Sequence, residues 1–526
     1  MTLTPAPAAH ARVIALVQIV LAAAVLLWPL LVAGRPTLFA DTGAYWRQGR
    51  TVVVQGLGLD RAAPDPFDLT LGGQVVGHQV VRDPKIASSF LGARSAIYGV
   101  FLFASQRIGT LWLTAALQAL CAAAVIHVVW RAAAPRAPAW TYAGLMAGLA
   151  AATSLPFYAG FAMPDVFAGL DLLIAAALTF YWDRLGRRTR LALWLLLAVS
   201  LSFHASHLML MAATAAAAAY GLWRLGASAG QIRLRVGVLA AAIAAAAIAA
   251  AGAGAGMQTL TGTPAHSPPF LTARLLADGP GRTYLRRACA HAEPFRLCRF
   301  KDLPLDRSDA ILWWNDPRQG VFMTSPLAER LALEAEQPRF VRAVIAADPL
   351  GVAGAGLRDF AVQLASFFVD DPLHDPCQMT RFWYWSQSTA KVLVVDPGRC
   401  GAGPALTLSP TLLFALHAMA LVAAGFGLFR LALGRRCAPA GAGEALDDEG
   451  RIVAAAALIV AAIAANAAIC GVLSGPFARY EARLIWLLPM FGLLAACLRA
   501  PTAVLASDAD RRRSAAGTPA DGLARG

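Results

Sequence analysis

Charge is what this sequence has least of. Asp, Glu, Lys and Arg make up 14% of its 526 residues, against 58% hydrophobic residues and a mean hydropathy of +0.57. That balance excludes an ordinary soluble enzyme and describes a polytopic membrane protein. No Lys/Arg run is interleaved with aromatics, so the net charge of +14 carries no nucleic-acid signature. No cysteine spacing resembles a zinc site, and no internal repeat relates the two halves. The first apolar segment, Val13 to Ala33, is longer than the roughly 7–15 residues of a secretory leader, and more such segments follow. It reads as a retained helix.

What the chain does have is a series of apolar runs separated by arginines. This is the pattern of loops held on the cytoplasmic side. A crossing takes about 20 apolar residues, or about 17 at the low end. Val13–Ala33, Ile108–Trp130, Trp140–Phe157, Val166–Trp182, Val236–Gly256, Thr407–Leu433, Ile452–Leu473 and Leu484–Leu498 read as single crossings. Leu191–Trp223 is too long for one comfortable helix. Arg184, Arg187, Arg188 and Arg190 precede it, and Arg224, Arg233 and Arg235 follow it. Two crossings that meet at SFHASH (Ser202–His207) keep both flanks cytoplasmic; the alternative is one long tilted helix.

The expected fold is all-α and polytopic, with about ten transmembrane helices and both ends cytoplasmic. Residues 1–256 form an N-terminal transmembrane module with a long first periplasmic loop (34–107). Residues 257–405 form a larger periplasmic insertion of mixed short helices before the last three spans. Residues 406–498 hold the C-terminal transmembrane helices, and 499–526 a disordered cytoplasmic tail. Two further apolar pieces read as interfacial helices. One is Phe90–Ser105, interrupted by Arg94. The other is Pro349–Val369, where Leu357, Phe360, Leu364, Phe367 and Phe368 share a face.

Four of the eight cysteines, Cys289, Cys298, Cys377 and Cys400, lie in the long outer insertion, where an oxidising compartment permits disulfides. Proximity favours Cys289–Cys298 and Cys377–Cys400, although four cysteines allow three pairings. Cys121, Cys470 and Cys497 fall within spans and read as small core residues.

With this topology, Asp41, Asp165, His204, His207, Arg479 and Arg483 all face one membrane surface. Asp41 stands in LFADTGAYWRQGR (Leu38–Arg50), directly after the first span. It is either a functional acid at the membrane edge or a helix cap. Asp165 follows Met163 and Pro164 and carries the same two readings. His204 and His207 are three apart, on one helical face, and serve as polar caps or as ligands. Arg479 and Arg483 are four apart with Tyr480 between them. They either snorkel as anchors or clamp a phosphate with their planar forks. Tyr45 and Trp46 fit an aromatic belt or a ligand contact. Asp171, inside a span, needs a partner that the sequence does not name. Acids, imidazoles and arginines at a lipid–water boundary suit a reaction between a lipid phosphate ester and a hydroxyl or amine. One carboxylate would be the base and cations would stabilise the departing phosphate.

On these residues the chain resembles the GT-C superfamily of integral-membrane glycosyltransferases. The likeness rests on Asp41 after the first helix and on ARSAIYGVFLFASQRIGTLWLTAALQAL (Ala93–Leu120). It rests also on MPD (Met163–Asp165), the short helix pair, and RYEARLIWLLP (Arg479–Pro489) opening the last span. The resemblance implies transfer of a sugar from a polyprenyl-phosphate carrier to a lipid, glycan or protein acceptor. The active site would face the periplasm from a bacterial inner membrane. It implies Asp41 as base and Asp165 as an orienting or metal-binding carboxylate, with a divalent metal (Mg or Mn) left open at these two acids. Tyr45, His204, His207, Arg479, Tyr480 and Arg483 would bind substrate. The chain departs from the pattern in its lone Asp165, where the family carries an adjacent acidic pair, and in His204 and His207. Two rival readings are a lipid-linked-glycan transporter or flippase and a non-catalytic envelope assembly protein.

Overall fold

The computed structural model describes residues 8–34, 36–39, 41–61, 68–71, 74–78, 94–291, 295–314, 316–369, 409–436 and 447–499. The expected Cys377–Cys400 pair and all but the first residue of the expected tail lie outside these residues. The protein is an α-helical, multi-pass membrane protein. Among the described residues the strands form one antiparallel ribbon, β1 (Asp68–Leu71) with β2 (Gln74–His78), and Thr37 makes an isolated parallel bridge with Phe161.

Among the described residues six helices are long and apolar enough to cross a membrane: Ala96–Ala133, Ala205–Arg224, Ala229–Thr261, Pro410–Gly434, Asp448–Val472 and Arg479–Leu498. A seventh arises if the pair Leu327–Ala347 and Pro349–Ala365, bent by 106°, counts as one broken span. Others of the expected crossings are shorter, and prolines mark two of the breaks. The first divides into α1 (Ala8–Leu26) and α2 (Trp28–Ala33) beside Pro29, and the third into Ala139–Ala152 and Leu155–Gly160 beside Pro156. Proline lacks the amide hydrogen that a helix interior needs, so each new helix begins with it in the first turn.

The helix Asp165–Phe180 is the centre of the bundle, with every residue buried. A helix apolar all round can be satisfied only by neighbours on every side. Gly169 lets the last helices approach, because a Cβ there would lie 2.9 Å from the Trp486 ring and 3.0 Å from Arg483 O.

Leu191–Trp223 is two helices, Arg187–Leu201 and Ala205–Arg224. They run antiparallel. Ser200 hydroxyl donates to Asp171 near the start of the central helix, whereas Gly221 packs beside Phe180 at its end. Arg235, in the helix that follows, donates to Thr179 O at 2.8 Å. The His204 turn and the arginine-rich loops therefore occupy opposite ends of the bundle. A thiol introduced as Ala205→Cys is expected to label from outside intact cells, and Gly186→Cys only after permeabilisation. Equal protection of both would break this assignment.

Of the expected interfacial helix Phe90–Ser105, residues 90–93 lie outside the described residues, and the helix begins at Ala96 and runs past the expected end. Residues 96–108 are helical and join residues 111–133 across a break at Gly109 and Thr110, where Thr110 has φ 62°. This helix is packed against α3 (Thr42–Arg50). Two glycines explain why: a Cβ on Gly49 would sit 1.9 Å from Gly99 O, and one on Gly99 2.4 Å from Tyr45 O. With the backbones so close, the polar face is buried within the protein.

Residues 263–347 carry a second core of Leu276, Leu285, Phe295, Phe322, Phe340 and Val344. The expected Cys289–Cys298 disulfide is formed there, with Cα atoms 5.6 Å apart.

Candidate functional site

Asp41 does not cap α3. Its backbone is already helical (φ −81°, ψ −16°) and its side chain makes no cap bond. The carboxylate instead accepts from Arg94 Nη2 at 2.5 Å and Arg479 Nη1 at 3.2 Å. Neighbouring threonines hold the loop in place. Phe39 N donates to Thr42 Oγ1 (2.9 Å), Thr42 Oγ1 donates to Ala162 O (3.1 Å), and Ala162 N donates to Thr37 O (3.0 Å). The loop that bears Asp41 is thereby stitched to the segment that leads into Asp165.

Burial opposes ionisation of Asp41, but Arg94 and Arg479 outweigh it and hold the carboxyl well below the usual carboxylate range. The folded value lies below the ordinary 3.8. The charge therefore stabilises the fold at every pH above that ordinary value, and the contribution is lost only as pH falls through the depressed one. Asp41→Asn should lower the melting temperature by the same amount at pH 8 and pH 5. A penalty that shrank across that interval would show that the paired charge is not its source.

Arg94 is the residue that sequence reasoning missed, having read it as an interruption of an apolar run. It is buried, with its guanidinium 6.0 Å from the Tyr45 ring centre and 5.5 Å from that of Trp313. A lone arginine in an apolar stretch was the available signal, but its partner lies 53 residues away. Trp313, from the second core, went equally unnoticed.

Asp165 is the first residue of its helix and, like Asp41, makes no cap. It accepts from Arg483 Nη1 at 3.1 Å. Arg483 is only 1% exposed and spreads its other nitrogen over Asn466 Oδ1 (3.2 Å), Ser206 Oγ (3.4 Å) and Cys470 Sγ (3.7 Å). Asn466 in turn donates to Glu481 Oε1 at 2.9 Å. Asp171 has its partner in His207, whose Nδ1 is 3.2 Å from Asp171 Oδ2, and in Ser200.

Arg479 and Arg483 do not converge on one point. Each holds a different acid, and the Tyr480 ring lies 5.0 Å from one guanidinium and 5.3 Å from the other. Arg479 is the more open of the two, and it also covers the Phe39 ring at 4.6 Å. His204 caps its helix, with Nδ1 accepting from Ser206 N at 3.1 Å. Burial, His207 and the cations Arg94, Arg483 and Arg479 hold its imidazole neutral, well below the ordinary 6.5. With Nδ1 used as acceptor, the proton sits on Nε2, which is left to donate. Tyr45 is fully buried, and its hydroxyl has no hydrogen-bond partner among the described residues. Burial also raises its ionisation above the ordinary 10.0, so it is a neutral donor in the field of Arg94, Asp41 and Asp165.

The residues present do not fit a divalent metal shared by Asp41 and Asp165. Each carboxylate is already engaged by arginine, and among the described residues no three His, Cys, Asp or Glu side chains converge. The arrangement instead offers cations and neutral donors around a carboxylate, which suits a phosphate. Comparison with family models, curated proteins and solved structures finds no match to this chain.

Proposed function

We propose that this chain is a membrane glycosyltransferase. It moves a sugar from a polyprenyl-phosphate carrier to a lipid, glycan or protein acceptor at the periplasmic face of a bacterial inner membrane. One observation carries the reading: Asp41 is held by Arg94 and Arg479 near the buried hydroxyl of Tyr45, which meets no hydrogen-bond partner among the described residues. A buried hydroxyl without a partner costs about 1–3 kcal/mol, a cost that a bound oxygen would remove.

A carboxylate clamped by two guanidinium groups is a poor base. The carrier phosphate competes for the same cations. As Arg94 and Arg479 turn to the phosphate, Asp41 loses the charges that suppress its basicity. It can then take the proton of the acceptor hydroxyl as that oxygen bonds to the anomeric carbon. The bond from the anomeric carbon to the phosphate oxygen breaks, and its electron pair leaves on the polyprenyl phosphate. Arg479, Arg94 and the Nε2–H of His204 offset that charge. Asp165 and Arg483, buried against each other, act as the frame that holds the His204 turn to the last helix.

Buried ionisable groups within the bundle, Asp171 with His207 above all, favour a second reading, a polyprenyl-phosphate flippase. Proteoliposomes loaded with radiolabelled polyprenyl-phosphate sugars and candidate acceptors test both. Glycosylated acceptor supports the transferase. Movement of intact carrier between leaflets without transfer would replace it with the flippase.

A further inference from the structure

The helix Pro349–Ala365 is divided by chemistry. Leu350, Leu357 and Leu364, spaced seven apart, are 84%, 70% and 42% exposed, and Phe368 continues the stripe. On the opposite side Gln363 is wholly buried, and Asp359 accepts from Arg274 Nε at 3.1 Å. That polar side lies against residues 467–472, where Gly471 is required: a Cβ there would sit 2.7 Å from Gln363 Cβ and 2.9 Å from Asp359 O. The apolar stripe is continuous with the exposed apolar side of the span Pro410–Gly434, where Phe368 meets Phe414 edge-on at 6.3 Å. Phe367 stacks on Phe414 of that span at 5.3 Å, and Phe414 is itself exposed. The surface that covers the stripe is therefore the bilayer that covers the span.

Gln363 is committed elsewhere. Its Nε2 donates to Phe477 O at 3.0 Å and its Oε1 accepts from Phe477 N at 2.9 Å. One amide thus satisfies both polar groups of a residue that stands two positions before Arg479. The Phe477 ring then packs edge-on to Tyr480 at 5.8 Å, and Tyr480 lies beneath Arg479.

We propose that the helix Pro349–Ala365 lies on the bilayer surface and that Gln363, through Phe477, is the positioning residue that aims Arg479 at a lipid-borne phosphate. The phosphate half of this statement rests on the glycosyltransferase reading; the geometric half does not. Asn in place of Gln363 keeps the amide but is one methylene too short to reach both groups of Phe477.

The test uses the full chain in lipid nanodiscs with undecaprenyl phosphate as probe. Gln363→Asn is expected to weaken binding about tenfold, as loss of two hydrogen bonds implies. The double variant Gln363→Asn/Arg479→Ala should bind no worse than Arg479→Ala alone, because a residue acting through Arg479 has nothing left to position. Additive losses would overturn the proposal. If the wild-type chain binds no undecaprenyl phosphate, the glycosyltransferase reading fails, and two further measurements still judge the geometry. Amide exchange over residues 477–480 should rise in Gln363→Asn; unchanged exchange overturns the positioning role. Nitroxides on Leu357→Cys and Leu364→Cys should relax faster with oxygen than with a water-soluble nickel chelate. The reverse order overturns the bilayer contact.

Discussion

Asp41→Asn is expected to reduce sugar transfer by about 10²–10⁴-fold, the usual contribution of a general base. The acceptor must lose a proton as positive charge develops at the anomeric carbon. A carboxylate can take that proton and offset that charge, whereas an amide of the same size does neither. Asparagine still accepts one hydrogen bond from Arg94 or Arg479, so the loop stays stitched to Ala162 by Thr42. Single-turnover transfer on a verified donor and acceptor is the measurement. Near-full activity in Asp41→Asn would remove it from the chemistry and leave it as a counter-ion of two arginines.

Asp165→Ala should have the largest effect on the fold, destabilising it by about 3–5 kcal/mol, because it strands Arg483 among buried groups without its carboxylate. Thermal unfolding in detergent reads this directly. The double change Asp165→Leu/Arg483→Met removes both charges and should recover part of the loss, since two apolar groups need no counter-ion. Asp165→Ala with wild-type stability would show that the pair is not what joins the central helix to the last one.

Much of the helical plan was legible in the chain, because hydropathy is a local property and each apolar run declares itself. The break at Ser202–His204 was legible for the same reason: arginines at both ends of Leu191–Trp223 required an even number of crossings. The Cys289–Cys298 disulfide followed from its short separation. The partners within the site were harder to read. Asp41 and Asp165 each carried a plausible cap reading, and only their ion pairs show what they do instead. Arg94 looked like an interruption because the acid it meets lies on another element. Glu481 and Gln363 gave no signal at all, since one Glu or Gln near a helix end resembles any other.

The sequence by itself determined a multi-pass α-helical membrane protein, the helix break at Ser202–His204, and a set of acids and arginines placed at the ends of apolar runs. Those follow from composition and spacing, which act along the chain. Tertiary structure decided which arginine meets which acid, that Arg479 and Arg483 serve different carboxylates, and that Arg94 belongs to the site. It also decided that Gln363 grips the backbone beside Arg479. A buried charge is tolerated only where a partner neutralises it, and close helix packing at Gly49, Gly99, Gly169 and Gly471 sets which partners come within reach.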